Sequence, residues 1–399
     1  MIRIQWSNPL ARAQGWLITV IGFSVVALLA SHSYADPIDE KYQKAVDKGL
    51  EWLKKQQHKD GSWSNGGQNP VAMTAMGGLA MLCEGSTVTQ GKYRDNIRLA
   101  VDWLMKKSNK GGARHGLVGN PDLAGETGRY MYGHGFAMLF LASAYGEEDD
   151  KQRRAELREI LTRAVTYCGS AQSTDGGWYY TAKGDPPGND NDEGSVTVTQ
   201  MQALRACRDA GIPVPKEIMK KGADYLRKST DNQGGVIYRL IRGGGMPNGG
   251  GKPALTAAAI TCLFSAGDYN DEYVKKWFKF CYNEDVPPQQ QRIPITGGGG
   301  GRVAFEEYTH FYYAASIYFL GEDGWSKMMH PEADPKVANP KYLTWSKYRN
   351  NYFEYILRTQ GADGGWTGAS GWGSGPIYTT SVHCVIMQLD KNCLPVFQR

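Results

Sequence analysis

The seven cysteines of this 399-residue chain form no CxxC pair, and no basic block stands out among 45 Lys+Arg and 40 Asp+Glu. The first absence removes the usual paired-thiolate metal and redox signatures. The second, with a net charge of only +5, leaves no electrostatic footprint for nucleic acid. A phosphate-cradling loop is missing as well. The GGGGGR run ending at Arg302 has no Lys-Ser/Thr partner opening a helix, so it is read as a flexible rim loop. The N-terminal apolar run, 16–30, falls short of the ~20 residues of a membrane span. It follows Arg3 and Arg12 and precedes Ser33-Tyr34-Ala35. That order predicts a cleaved export signal over 1–35 and an exported, periplasmic or extracellular, mature chain with no transmembrane span.

What is present is a repeated word. KGLEWLKKQQHKDGSW, 48–63, joins an amphipathic helix to an Asp-Gly turn ending at Trp63. Degraded copies end at Trp178 (AQSTDGGW), Tyr238 (KGADYLRKSTDNQGGVIY) and Trp366 (YILRTQGADGGW). Leu50, Trp52 and Leu53 recur at helical spacing with lysines opposite, and glycine after Asp allows the positive φ of a tight turn. One supersecondary unit used several times is the expectation.

Along the chain, half-polar helical segments alternate with segments apolar nearly all round. The half-polar ones are 48–57, 96–107, 154–168, 216–228, 271–282 and 348–359; the apolar ones are 71–84, 130–145, 195–210, 254–266, 306–320 and 379–389. A half-polar helix faces water and a wholly apolar one is packed on all sides, so six outer/inner pairs result. The apolar segments align on a column of Thr74, His134, Thr199, Thr256, Thr309 and Thr380. Six such pairs bury every inner helix by closing into a ring, which predicts an all-α fold, a single (α/α)6 toroid over 40–399. The polar stretch 323–341, with Pro331, Pro335 and Pro340, is read as a long connection. The cysteines lie mostly in apolar segments and read as buried small hydrophobes; a disulfide involving Cys384 or Cys393 stays open.

These words carry a resemblance. Lys48-Gly49, Trp52-Leu53, Gln57 and Gly61-Ser62-Trp63 resemble the QW repeat of squalene–hopene and related triterpene cyclases, and 172–178 and 360–366 match its second half. The chain thus resembles the terpene cyclase and protein prenyltransferase superfamily over nearly its full mature length, as one toroid instead of two. The resemblance implies (α/α)6 toroids and, for class II cyclases, a protonated Asp within D-x-D-D at an inner helix. Here the comparable cluster is Asp190-Asn191-Asp192-Glu193, with Asp192 in the acid's place and Asp190 and Glu193 as like-charge neighbours that raise its pKa. The fourth residue is Glu, and Gly194-Ser195 follows where the family has Thr and a small apolar residue. The alternative is that these acids cap a helix N-terminus.

Aromatics of the inner segments are the second signal. Tyr132, Phe136, Tyr308, Phe311, Tyr312 and Tyr378, with His134, are candidates to line a central substrate cavity, where ring faces stabilise carbocations. Filling the toroid's core is their other use. Tyrosine outnumbers phenylalanine, which predicts a wetter pocket than one for hydrocarbon. His134, His310 and His383 lie early on inner segments. The zinc of protein prenyltransferases needs D-x-C, which this chain lacks, and His310 and His383 with Cys384 or Cys281 have no known ligand spacing. Neither metal nor cofactor is expected. The readings are an acid-initiated polyprenyl cyclase binding an isoprenoid lipid, an exported carbohydrate-active enzyme with rim residues Trp178, Tyr179, Tyr180, Trp366 and Trp372, or a non-catalytic scaffold for a protein partner.

Overall fold

The computed structural model describes residues 39–240, 250–267, 271–284, 305–332, 339, 341–368 and 375–398. The expected export signal, the 297–301 glycines and Trp372 lie outside them. Among the described residues there are thirteen α-helices and no β-strand, and no helix is long and apolar enough to cross a membrane.

The six predicted pairs are all present. Outer helices are α1 (Glu40–Gln56), α3 (Arg94–Lys106), α5 (Lys151–Ser170), α7 (Lys216–Lys228), α9 (Glu272–Asn283) and α12 (Trp345–Thr359). Inner helices are α2 (Pro70–Glu84), α4 (Tyr130–Tyr145), α6 (Gly194–Asp209), α8 (Pro253–Ala266), α10 (Glu306–Leu320) and α13 (Gly375–Met387). In α1 the buried positions Tyr42, Ala45, Val46, Gly49, Leu50 and Leu53 recur at i, i+3, i+4, i+7 and i+8, one apolar stripe. In α2 the fourteen residues from Pro70 to Cys83 are all buried. The inner helices pack in chain order, α2 on α4, α4 on α6, α6 on α8, α8 on α10 and α10 on α13, and α13 returns to α2. This closed circuit is an (α/α)6 toroid. One addition lies in the expected long connection: α11 (Gly324–Met329) seats Trp325 against Phe278 and Tyr282, since one buried indole is enough to order a single turn.

Three side chains of the repeated word explain the closure. Gln57 Nε2 donates to Gly61 O within its own turn and to Asn96 O on the next outer helix, α3. Gln172 repeats this toward Ile218 O on α7, and Gln360 does so toward Ala45 O on α1, tying the last unit to the first. Asp60 accepts from Trp103 Nε1, and Asp363 accepts from Trp52 Nε1 in the same relation. The turn tryptophans donate Nε1–H to the preceding outer helix, Trp63 to Leu53 O, Trp178 to Cys168 O and Trp366 to Ile356 O, each at 2.8 Å. The glycine that opens the word has a packing reason too. A Cβ on Gly49 would stand 2.7 Å from the Trp366 ring and from Cys384 Sγ.

Where the preceding turn is described, the column is a set of staples from that turn to the following inner helix; the segment before Thr309 lies outside the described residues. The backbone N–H of Trp63, Val236 and Trp366 donates to Thr74, Thr256 and Thr380 Oγ1, and that of Val118 donates to His134 Nδ1 at 3.1 Å. The third member needs correction: Trp178 N–H meets Thr197 Oγ1, at 2.9 Å, and Thr199 is not the staple. Two residues on a helix are about 200° apart, so Thr199 points the other way, to Tyr312 Oη at 3.1 Å. Thr197→Val is therefore expected to cost about 1–3 kcal/mol, the penalty of a buried N–H left without its acceptor. Thr199→Val should cost less, because its hydroxyl is not the acceptor of a turn amide. Chemical denaturation of both variants checks the order.

After α13 the chain crosses a short 3-10 turn (Leu389–Lys391) and ends in another (Pro395–Phe397) that packs on α6. Val396 and Phe397 are buried, and the Phe397 ring lies 6.3 Å from that of Phe311 on α10.

Candidate active site

Five of the inner helices are stapled to the turn before them, which gathers their N-termini on one face of the ring; the segment leading into α10 lies outside the described residues. Into that face the segment 190–195 brings its acids, and the backbone sends them in different directions. Asp190 stays at the rim, accepting from Thr174 N–H and pairing with Lys183 at 3.4 Å. Asp192 is buried but turned toward the outer layer, where Oδ2 accepts from Ser173 Oγ at 3.1 Å and its charge lies near the Tyr225 phenol of α7. Glu193 is fully buried and starts α6, its N–H bound to Trp178 O at 2.8 Å. Its carboxylate accepts Ser195 N–H (2.9 Å), Val196 N–H (2.6 Å) and Ser195 Oγ (2.7 Å).

Burial drives the Glu193 pKa up to about 7, against the opposing pull of the Ser195 hydroxyl and the helix-terminal N–H groups; the Asp192 charge adds to the rise. The acid that shares surroundings with the central aromatics is thus Glu193. Ser195 Oγ is also hydrogen-bonded to Tyr132 Oη, so Glu193, Ser195 and Tyr132 form one chain from the helix start into the bore. Tyr308 Oη reaches Ser195 O at 3.4 Å from the facing α10. Tyr180 and Tyr238 are hydrogen-bonded through their hydroxyls at the rim, and the Tyr180 ring lies 5.8 Å from that of Tyr132. Burial holds Tyr132, Tyr308 and Tyr312 well above their ordinary pKa, so they are neutral phenols.

Deeper in, the lining becomes a floor. Phe136 contacts Phe311 and Tyr378 edge to face, Phe311 meets Tyr312, and the C-terminal Phe397 supports Phe311. Phe136, Phe311, Tyr312 and Tyr378 are at most 7 % exposed, while Tyr132, Ser195 and Tyr308 are half-buried.

Of the candidates from sequence, Glu193, Tyr132, Phe136, Tyr308, Phe311, Tyr312 and Tyr378 converge on this bore. His134 does not; it is fully buried between layers, edge-on to Tyr167 of α5 and stapled to Val118, and burial lowers its pKa to about 4. His310 stacks on Tyr352 of α12 and bonds Tyr348 Oη at 2.6 Å, and His383 lies between Tyr352 and Trp366. All three face the outer layer, for packing reasons, and no three His, Cys, Asp or Glu side chains among the described residues are grouped to hold a metal. Trp178 and Trp366 are buried staples with no stacking face at the rim. The seven cysteines are free thiols, Cys393 alone exposed.

Sequence reasoning passed over three buried acids. Glu306 and Glu307 open α10, where a Cβ on Gly368 would lie 3.1 Å from Glu307 Oε1, and the Glu307 charge is felt by Tyr378. Glu126, 2 % exposed, accepts Val71 N–H at 2.9 Å at the start of α2, and burial raises its pKa to about 7. Their common signal was position, each standing at or just before an inner helix. Glu126 and Glu193 both titrate in the fold well above the 4.5 of a free glutamate. Their contribution is complete below about pH 4.5 and is lost as pH rises through about 7. The melting temperature is expected to fall from about pH 5 to pH 8, and to fall less steeply in Glu126→Gln. A thermal melt series across that range checks it.

No protein-family model matches the chain, and no curated protein matches it in sequence. Among solved structures it is similar to a D-mannose isomerase, with a TM-score of 0.58 and 11 % identity, covering 90 % of this chain and 98 % of that one. It is similar to the GH76A alpha-1,6-mannanase of a Salegentibacter species, at 0.56 and 11 %, covering 88 % and 99 %. A variant of the type II terpene cyclase MstE from Scytonema, in complex with geranylgeranyl dihydroxybenzoate, gives 0.51 and 12 %, covering 89 % and 98 %. The fold is that of the (α/α) toroid enzymes. At such identities the likeness concerns the fold, and the chemistry has to be argued from the lining of the bore.

Proposed function

We propose that this toroid is an exported enzyme performing acid-assisted chemistry on a hydroxylated small molecule, a saccharide, at the mouth of the bore, with Glu193 as general acid. The observation that carries the reading is the Glu193–Ser195–Tyr132 chain, a buried carboxyl with a pKa near 7 aimed at a half-buried rim of phenols. A carboxyl protonated near neutrality gives its proton to a leaving oxygen and recovers it from water. Glu307, buried in the first turn of α10 with its charge felt by Tyr378, is the candidate for the second carboxyl that glycosidic chemistry asks for. Tyrosine faces stack on sugar rings, and their hydroxyls satisfy sugar hydroxyls. The similar toroids include mannose-handling enzymes and a terpene cyclase, so the fold is neutral between substrates; the phenol hydroxyls of Tyr132, Tyr180 and Tyr238 favour the saccharide.

A second reading keeps the superfamily resemblance: an acid-initiated cyclase in which the same Glu193 protonates an alkene or epoxide above the faces of Phe136, Tyr308 and Tyr312. The neutral carboxyl supports it, whereas the floor of packed rings works against a long polyprenyl chain. Incubating the mature protein with a panel of oligosaccharides and, separately, with squalene and shorter polyprenyl substrates tests both. Sugar turnover that Glu193→Gln abolishes supports the first reading. Cyclised hydrocarbon that the same variant abolishes overturns it in favour of the second.

A further inference from the structure

The most exposed large apolar side chain among the described residues stands at the start of an inner helix. Phe305, 54 % exposed, is the N-cap of α10. Its place on the mouth follows from the pairing of α10 with α6. Tyr308 Oη reaches Ser195 O, and four residues on along both helices Tyr312 Oη meets Thr199 Oγ1. The two helices therefore run in the same direction, and Phe305 lies on the face where α6 begins at Glu193.

Local rules argue against a phenylalanine at this position. Its φ of 58° and ψ of 48° are left-handed, a region that bulky L side chains enter only at a cost. It has no side-chain oxygen with which to cap the helix. The first turn is held by its backbone instead, whose carbonyl accepts from Thr309 N–H and Thr309 Oγ1. Asn69, before α2, takes the same backbone turn with φ of 52° and ψ of 45°, and asparagine is a residue that tolerates it. Strain, a missing cap and an exposed ring thus meet at one residue on the mouth, where a locally unfavourable choice points to a ligand.

A second exposed ring lies at the start of α6. Tyr238, 40 % exposed, is hydrogen-bonded through its hydroxyl to Tyr180, and Gly194 N–H donates to Tyr238 O, which fixes it beside Glu193. Phe305 in turn immediately precedes Glu306 and Glu307, both buried. Glu193 and Glu307, the acids of the proposed chemistry, thus each have an exposed ring at their helix start. In the circuit α8 packs between α6 and α10, so at about 8–10 Å between neighbouring helices the two starts are about 15 Å apart, more than a disaccharide spans.

We infer that Phe305 and Tyr238 are stacking positions for separate rings of one oligosaccharide, and that the substrate is a sugar chain longer than a disaccharide. The C–H face of a pyranose lies flat on an aromatic ring and takes apolar surface of both out of water. The inference rests on the saccharide reading above and narrows its substrate class.

The test is calorimetric titration of the full mature chain with gluco- and manno-oligosaccharides of two to six rings, and with the same lengths of any sugar turned over in the panel above. The six-ring member of the bound series is expected to bind about tenfold tighter than its disaccharide, the worth of one further aromatic contact. Phe305→Asn should lose that preference while keeping the disaccharide affinity, and Phe305→Trp should keep both. Because asparagine relieves the left-handed turn, Phe305→Asn should also melt at the same temperature or about 1–2 °C higher. A lowered melt makes Phe305 a packing residue and overturns the inference with no sugar present. Affinity independent of length in the wild type, or a length preference untouched by Phe305→Asn, overturns it and leaves the saccharide reading standing. Binding of no oligomer overturns it as well, and with no turnover in the panel the saccharide reading falls too.

Discussion

Glu193→Gln is expected to lower turnover by about 10²–10⁴-fold, the usual worth of a positioned general acid, with little change in substrate affinity. Glutamine keeps the size of the side chain but has one acceptor oxygen where the carboxylate uses two, Oε2 for Ser195 N–H and Oε1 for Val196 N–H, so one bond at the start of α6 is lost, at a cost of about 1–3 kcal/mol in stability. It also loses the exchangeable proton. Asp192→Asn is the informative contrast. Asp192 faces Ser173 and Tyr225, away from the bore, yet its charge helps to raise the Glu193 pKa. Its replacement should leave turnover substantial and shift the profile. Because Glu193 acts while protonated, activity declines as pH rises through about 7, and in Asp192→Asn the decline should begin at lower pH. A pH–rate series on both variants reads this directly. An unshifted profile in Asp192→Asn, with loss of turnover equal to that in Glu193→Gln, would place the working proton on Asp192 after all.

The contrast marks how far the chain's own letters reach. The ring was legible because its signals are periodic and redundant: the apolar helices α2, α4, α6, α8, α10 and α13 differ from their half-polar partners over whole turns, and the Gln–Trp turns recur. Even the threonine column was visible, since an acceptor is needed at the first turns of each inner helix. Where the preceding turn is described, its slip is Thr199 for Thr197, a two-residue shift that reverses the facing of a helical side chain. The site was legible as a cluster and not as a set of roles. Asp190, Asp192 and Glu193 are adjacent in sequence, but the extended backbone at Glu193, with φ of −161°, sends neighbouring side chains to opposite sides. No composition rule says which of them enters the bore. Glu307 and Glu126 were missed because a single acid before an apolar helix resembles an ordinary helix-start charge. Only closure of the ring shows them buried.

Closure also sets the largest expected loss of stability, Trp366→Ala. The indole is 1 % exposed, fills the notch left by Gly49, lies 5.4 Å from His383 and donates to Ile356 O. Emptying that volume should cost about 3–5 kcal/mol, a large part of the about 5–15 kcal/mol that holds a typical domain together. Gln360→Ala separates packing from closure. It removes little buried volume but breaks the bond to Ala45 O, one of the contacts by which the sixth unit holds the first. If the circuit is cooperative, Gln360→Ala should lower stability by about 1–3 kcal/mol and make α1 the first helix to exchange its amide hydrogens. Gln172→Ala, which breaks the corresponding tie between the third and fourth units, should leave α1 protection intact. Denaturant melts give the energies, and hydrogen exchange followed by peptide mass gives the order of opening. Uniform exchange in Gln360→Ala, with α1 no earlier than α5, would mean that the ring is held by its inner helices alone and that the glutamine tie is incidental to its closure.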